Sequence, residues 1–328
     1  MLNRYHNKCC GQPIELQKRW DCCFNIVPYL LYTVKINTKT RIMFNTGRLM
    51  LNFRRRVMSK NICTLYFSAT GTTKRVINYI ANEVSNILGN VCINNVDFTL
   101  PSVRQQELCF NKDDIVIVGV PVYAGRVPNV LLKFLKSVKG NGALAAAIVL
   151  YGNRNYDDAL IELRDILASD GFNVIGGAAF VGEHSFSKIL AKNRPDEQDL
   201  NYAKKFANSF SEKIHEGKIN ETVAVKGVSP YRFYYKPKDK NGNPVDIRKV
   251  IPKTNDNCIK CMTCVENCPM GSIDRNVPSK LNGICIKCGA CIKKCPKDAK
   301  YFDDERFLQH KHELEEGLTY RREPELFL

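Results

Sequence analysis

No stretch of this chain approaches the roughly 18–20 consecutive apolar residues that a membrane-spanning helix needs. Its most apolar N-terminal run, residues 24–34, is broken by Asn25 and Pro28, is followed by Lys35, and lacks a small-residue cleavage pattern. Neither a transmembrane segment nor a secretory signal is expected, and the cytoplasm is the expected compartment. Acidic residues are scarce at the start. Residues 1–57 hold eleven Lys and Arg against Glu15 and Asp21, so +9 of the chain's +16 falls there. The remaining 271 residues are only mildly basic, and nucleic acid is not an expected partner despite the total charge. Residues 1–57 also lack a clear period and capping signals. They read as a basic targeting or membrane-surface arm, or as upstream sequence translated ahead of a natural start at Met58. Apolar content is not lacking: at 44% it is ordinary for a chain with a packed core.

Cysteine is abundant, with fifteen in the chain. An odd number leaves one thiol unpaired, and a cytoplasmic setting argues against a disulfide framework. Eight of the fifteen fall in two copies of one phrase, CIKCMTCVENCP at 258–269 and CIKCGACIKKCP at 285–296. Zinc sites use two C-x2-C pairs separated by a longer loop, which is a different arrangement. Both copies fit C-x2-C-x2-C-x3-C-P, the spacing that ligates two [4Fe–4S] clusters. Three closely spaced thiolates reach three corners of one cubane, while the fourth turns away to the other. Cys258, Cys261, Cys264 and Cys295 are thus the expected ligands of cluster I, and Cys285, Cys288, Cys291 and Cys268 those of cluster II. Pro269 and Pro296 fix the turn after each remote ligand. Ile259, Met262, Val265, Ile273, Ile286, Ala290 and Ile292 are expected to keep water off the sulfurs. Lys287, Lys293, Lys294, Lys297 and Lys300 read either as a solvated face or as a docking surface for an acidic redox partner. Cys63, Cys92 and Cys109 lie in or near apolar stretches and read as small core residues.

Upstream, residues 61–215 alternate strand-like and helix-like patterns. Strands are expected at 62–67, 92–96, 115–120, 145–151 and 174–180, and helices at 73–88, 129–138, 156–169 and 196–216. Near-continuous apolar strands such as IVIVGV and AAAIVLY are buried on both faces. The pattern defines an α/β doubly wound parallel sheet with ligands at the carboxyl ends of its strands. The first strand runs into FSATGTTKRV at 67–76, which is neither a Walker A loop nor G-x-G-x-x-G. Hydroxyls at Ser68, Thr70, Thr72 and Thr73, a turn at Gly71, and the free N–H groups of the following helix suit a compact monoester phosphate.

This S-x-T-G-x-T loop resembles the FMN phosphate loop of flavodoxins. PVYAGRVP (121–128) and YGNRNYDDAL (151–160) resemble the two loops that enclose the flavin ring in that fold, and GEHSFS (182–187) follows the fifth strand. Together with the cysteine repeat, residues from about Asn61 to Tyr301 resemble the flavodoxin–ferredoxin fusion proteins, or ferrodoxins, of anaerobic microbes. The resemblance implies a flavodoxin-like sheet in the order 2-1-3-4-5 joined to a small α+β two-cluster ferredoxin domain. It implies FMN and two [4Fe–4S] clusters as cofactors. Ser68, Thr70, Gly71, Thr72 and Thr73 would hold the FMN phosphate. Tyr123, Ala124 and Gly125 would approach one side of the ring, and Gly152, Asn153, Arg154 and Tyr156 the other. Tyr123 or Tyr156 could stack on the ring. Arg126 and Arg154 read either as stabilisers of a reduced, anionic flavin or as surface charges. His184 is the candidate catalytic residue, relaying a proton with Glu183 fixing its tautomer; the competing reading is a His that satisfies local backbone.

The helical period stops after residue 218. Tyr231, Phe233, Tyr234 and Tyr235 are expected to pack the ferredoxin module onto the flavodoxin face rather than bind single-stranded nucleic acid. The expected division is an extension at 1–57, unstructured or not native; an FMN domain at 58–218; a linker or docking segment at 219–254; a ferredoxin domain at 255–305; and a charged tail at 306–328. Such a chain is expected to transfer electrons between FMN and the clusters and so between redox partner proteins. Two rivals stand beside it: an FMN-dependent reductase of a small-molecule acceptor fed by the clusters, and a redox sensor.

Overall fold

The computed structural model describes residues 61–238 and 242–328; the expectations placed on residues 1–57 lie outside them. Strands β1 (Asn61–Tyr66), β2 (Ile93–Asp97), β3 (Asp114–Pro121), β4 (Leu144–Tyr151) and β5 (Asn173–Val181) pair in parallel. Their order is 2-1-3-4-5, as the resemblance implied. The apolar runs DIVIVGVP and LAAAIVLY are buried along almost their whole length because helices cover both faces. Helices α1 (Thr72–Ile87) and α4 (Glu197–Glu216) seal one face through Ile77, Ile80, Val84, Phe206 and Phe210. Helices α2 (Asn129–Leu135) and α3 (Ala159–Ser169) seal the other. Because β1 lies between β2 and β3, the chain reverses direction across the sheet there, and a crevice opens at the carboxyl ends of β1 and β3.

The C-terminal module is small. Strands β6 (Lys253–Thr254) and β7 (Lys300–Tyr301) pair antiparallel, and two single-turn helices, α5 (Thr263–Glu266) and α6 (Ala290–Lys293), carry the third cysteine of each repeat, Cys264 and Cys291. Each short helix starts from a left-handed residue, Met262 at φ 64° and Gly289 at φ 73°.

Residues 306–328 are not a tail. Helix α7 (Glu305–Gly317) is capped by Asp304, whose carboxylate accepts the Phe307 N–H at 3.1 Å, and it buries Phe307, His310 and Leu314. Phe307 lies 4.3 Å from the Phe302 ring and 4.7 Å from the Phe186 ring, centre to centre. Strand β8 (Glu325–Phe327) then pairs antiparallel with β5 and becomes the sixth strand of the large sheet. The helix is polar over most of its length, so its narrow apolar stripe is a weak signal in sequence.

The aromatic segment also differs from expectation. Tyr231 donates to Asp165 Oδ2 and Tyr234 to the Val127 carbonyl, each at 2.8 Å, and both rings flank the Arg126 guanidinium. Phe233 points into solvent at 97% exposure. Tyr231 and Tyr234 clamp the linker onto the flavodoxin-like module. The ferredoxin-like module is held by other contacts: Arg104 donates to the Pro269 carbonyl, Lys293 pairs with Glu183 at 3.0 Å, and Lys188 pairs with Asp298 at 2.6 Å. Among the described residues no helix is long and apolar enough to cross a membrane.

Candidate functional site

Three recesses hold the residues singled out above. The first, about 350 Å³, is lined by Cys258, Cys261, Cys264 and Cys295. The second, about 400 Å³, is lined by Cys268, Cys285, Cys288 and Cys291. The eight thiols are all free, and each repeat sends its fourth cysteine to the other repeat's recess. Among the described residues no three His, Cys, Asp or Glu side chains come close enough to hold a single metal ion. Four thiols spread around one recess fit a cubane, which separates its ligands at its corners, better than a single ion. Burial raises the Cys264 and Cys285 thiols and pushes those of Cys288 and Cys291 up to about 12. Cys261 is exposed, and the Thr263 hydroxyl and N–H hold its thiol below the ordinary range.

The third recess, about 420 Å³, lies at the carboxyl ends of the parallel strands. Thr70, Thr72 and Thr73 line one end, at the start of α1. Tyr123 and Gly152 line it from the β3 and β4 loops. Hydroxyls at a sixteen-residue helix's N-terminus, with no acidic side chain among them, suit a phosphate. Ser68 and Gly71 shape the loop instead of facing the recess: the Ser68 hydroxyl accepts the Lys74 N–H at 3.0 Å, and Gly71 turns in the left-handed region.

Several expected ring contacts are used elsewhere. Ala124 is exposed, its carbonyl taken by the Tyr235 N–H at 2.8 Å, and Gly125 abuts Asp157. Asn153 donates to the Leu318 and Tyr320 carbonyls and is tied to the C-terminal segment. Arg154 pairs with Asp157 and lies 4.4 Å over the Tyr235 ring. Tyr156 is buried against Tyr151 at 5.5 Å. Arg126 makes a two-pronged bond to Glu162 at 2.7 and 2.8 Å, so neither arginine faces the recess as a free cation.

Glu183 does line the recess, but it does not orient His184. Burial opposes ionisation of Glu183, yet the Asn193 N–H and Lys293 hold its carboxyl below the ordinary range. His184 packs against Gly152 and accepts the Phe186 N–H on Nδ1 at 3.2 Å. Burial pushes its pKa down to about 3, so the ring is neutral and outside the recess lining. That geometry matches the competing reading, in which the imidazole satisfies local backbone.

Lining residues to which the sequence assigned no role in this recess include Gly182, Ser185 and Cys288. Cys288 matters most, because it borders both the second and the third recess. Tyr123 stands at the same junction, and burial together with the neighbouring Cys288 and Cys285 thiolates raises its phenol well above the ordinary value. Gly289 lets the two modules approach: a Cβ there would stand 2.5 Å from the Ser185 carbonyl oxygen. No local motif reports such a contact.

The five lysines expected on one docking face are also redistributed. Lys287 donates to the Arg248 and Cys285 carbonyls, Lys293 pairs with Glu183, and Lys294 donates to Asn267. Lys300 is buried at 3% exposure, and Lys297 alone of the five is exposed. Ile259, expected to shield sulfur, is 60% exposed, while Cys92 and Cys109 lie at the surface rather than in the core.

Two family models match the chain: a flavodoxin domain over residues 63–156 and a 4Fe-4S dicluster domain over residues 257–300. The chain is a flavodoxin–ferredoxin fusion, a flavoprotein and iron–sulfur protein of electron transport with FMN and [4Fe–4S] clusters as its cofactors. An uncharacterized protein of Methanocaldococcus jannaschii, MJ0298, is 28% identical over 144 residues, covering 42% of this chain and 89% of the relative. Similar solved structures include a flavodoxin from the domain Archaea, 19% identical over 47% of this chain and 99% of that one, with a TM-score of 0.34. Another is the Fusobacterium nucleatum flavodoxin bound to flavin mononucleotide, 18% identical over 48% of this chain and 98% of that one, with a TM-score of 0.31.

Proposed function

We propose that this chain relays electrons between an FMN in the recess at the start of α1 and two [4Fe–4S] clusters in the cysteine-lined recesses. The observation that carries the reading is Cys288, which borders the flavin recess and the second cluster recess at once. When bound, a flavin exchanges electrons in pairs or singly and a cluster singly, which suits a junction between the two kinds of carrier. Thr70, Thr72 and Thr73 would hold the phosphate, and Tyr123 and Gly152 would flank the ring. Cys258, Cys261, Cys264 and Cys295 would ligate cluster I, and Cys268, Cys285, Cys288 and Cys291 cluster II.

The two cluster recesses differ in surroundings. The second is pressed against the flavodoxin-like module at Ser185 and Tyr123. The first carries the exposed Cys261 and Ile259 on its rim, and the charged side chains lining it are Lys260, Lys297 and Lys300. An outward cluster framed by an apolar residue and cations suits transient docking of an acidic redox protein, with the second cluster as the inner step. The cytoplasm is the compartment this reading implies. The test is an anaerobic visible spectrum with flavin, iron and sulfide counted per chain. One flavin with a full two-cluster iron and sulfide complement supports the reading. Flavin without iron, or iron without flavin, removes the relay.

A further inference from the structure

Lys300 is the most deeply buried lysine among the described residues, at 3% exposure. Pairing of β7 with β6 sets Lys300 opposite Thr254. Its ammonium donates to Thr254 Oγ1 at 2.7 Å and to the Pro278 carbonyl. Both acceptors are neutral. The ion pairs to acids in and around the module are made by Lys253 with Asp303, Lys293 with Glu183 and Lys188 with Asp298, not by Lys300. A buried cation with no carboxylate beside it is strongly disfavoured unless other negative charge faces it. Lys300 lines the recess of Cys258, Cys261, Cys264 and Cys295.

Four thiolates and a cubane carry net negative charge, and reduction adds one more. A cation fixed in a low-dielectric site beside them favours the reduced form. We propose that Lys300 is an internal counter-ion that raises the reduction potential of cluster I, drawing the shared electron toward the solvent-facing recess. This rests on reading the two recesses as cluster sites.

The experiment is an anaerobic redox titration of the full, cluster-loaded chain, followed by electron paramagnetic resonance, with iron and sulfide counted in every sample. Lys300→Met and Lys300→Gln are expected to keep their iron and to shift the cluster I potential downward. Lys300→Arg is expected to keep the wild-type potentials. The shift persists in added salt because the charge is buried, whereas any shift from exposed Lys297→Gln fades. Lys300→Gln retains N–H donors for Thr254 and Pro278, so it separates charge from packing. Iron loss in both neutral variants with retention in Lys300→Arg also supports a counter-ion. Fully loaded Lys300→Gln with unchanged potentials overturns the inference and leaves the cluster reading intact. A wild-type chain that takes up no iron overturns the cluster reading itself.

Discussion

Gly289→Ala is the substitution that most directly disturbs the junction between the modules. The added Cβ would lie 2.5 Å from the Ser185 carbonyl oxygen, where a carbon–oxygen contact ordinarily settles at about 3.3 Å or more. The α6 loop must therefore retreat by about 0.8 Å. The left-handed backbone adds a penalty of roughly 1–2 kcal/mol for a non-glycine residue, and overpacking adds about 1–3 kcal/mol. The chain contains its own control. Met262 occupies the equivalent position in the first repeat with nearly the same backbone, φ 64° against 73°, so a side chain is compatible with that turn when no Ser185 faces it. Gly289→Ala is expected to lower stability by about 2–5 kcal/mol, to keep flavin and iron, and to slow electron exchange between them. Met262→Ala should keep flavin and iron and leave the exchange rate unchanged. Denaturant unfolding and anaerobic stopped-flow absorbance, both on the holoprotein, measure the two effects. Equal exchange rates in Gly289→Ala and the parent would refute the claim that this contact sets the approach.

Phe307→Ala removes a ring packed between Phe302 and Phe186. It should cost about 3–5 kcal/mol and expose α7 to limited proteolysis; a resistant, equally stable variant would contradict the packing of α7 through Phe307 against Phe302 and Phe186. Cys261→Ser should reduce the iron count while flavin content holds, since Cys261 lies on the exposed rim of the first recess, away from the α1 hydroxyls. His184 binds fewer protons in the native state than in the unfolded chain between pH 6.5 and about 3, so stability falls as pH drops through that window. His184→Gln should flatten that part of the stability–pH curve, and an unchanged slope would contradict a buried neutral imidazole.

The legible parts of this protein are those whose physics is local. The β3 and β4 runs are buried on both sides, so their composition alone marks parallel central strands. The cysteine spacing expresses a chelation geometry within twelve residues, and the recess groupings follow it. The placing of Thr70, Thr72 and Thr73 at one recess was legible because a strand-to-helix loop is also local. What escaped depends on contacts far apart in the chain. Asn153 and Arg154 carry the right residue types for a flavin loop, yet the C-terminal segment, Asp157 and Tyr235 occupy them. The lysine cluster looked like a face because side-chain burial is invisible in a charge pattern; Lys300 points inward and Lys293 crosses to Glu183. The grouping of Cys288 with Cys268, Cys285 and Cys291 was legible, but its place against the third recess arises from module packing.

The most direct test of the account is light-driven anaerobic reduction of the flavin in the loaded chain, with cluster bleaching followed at several protein concentrations. Exchange across the Cys288 junction predicts cluster reduction at one first-order rate, the same at every concentration. A rate that scales with protein concentration, or clusters that stay oxidised beside reduced flavin, would contradict it.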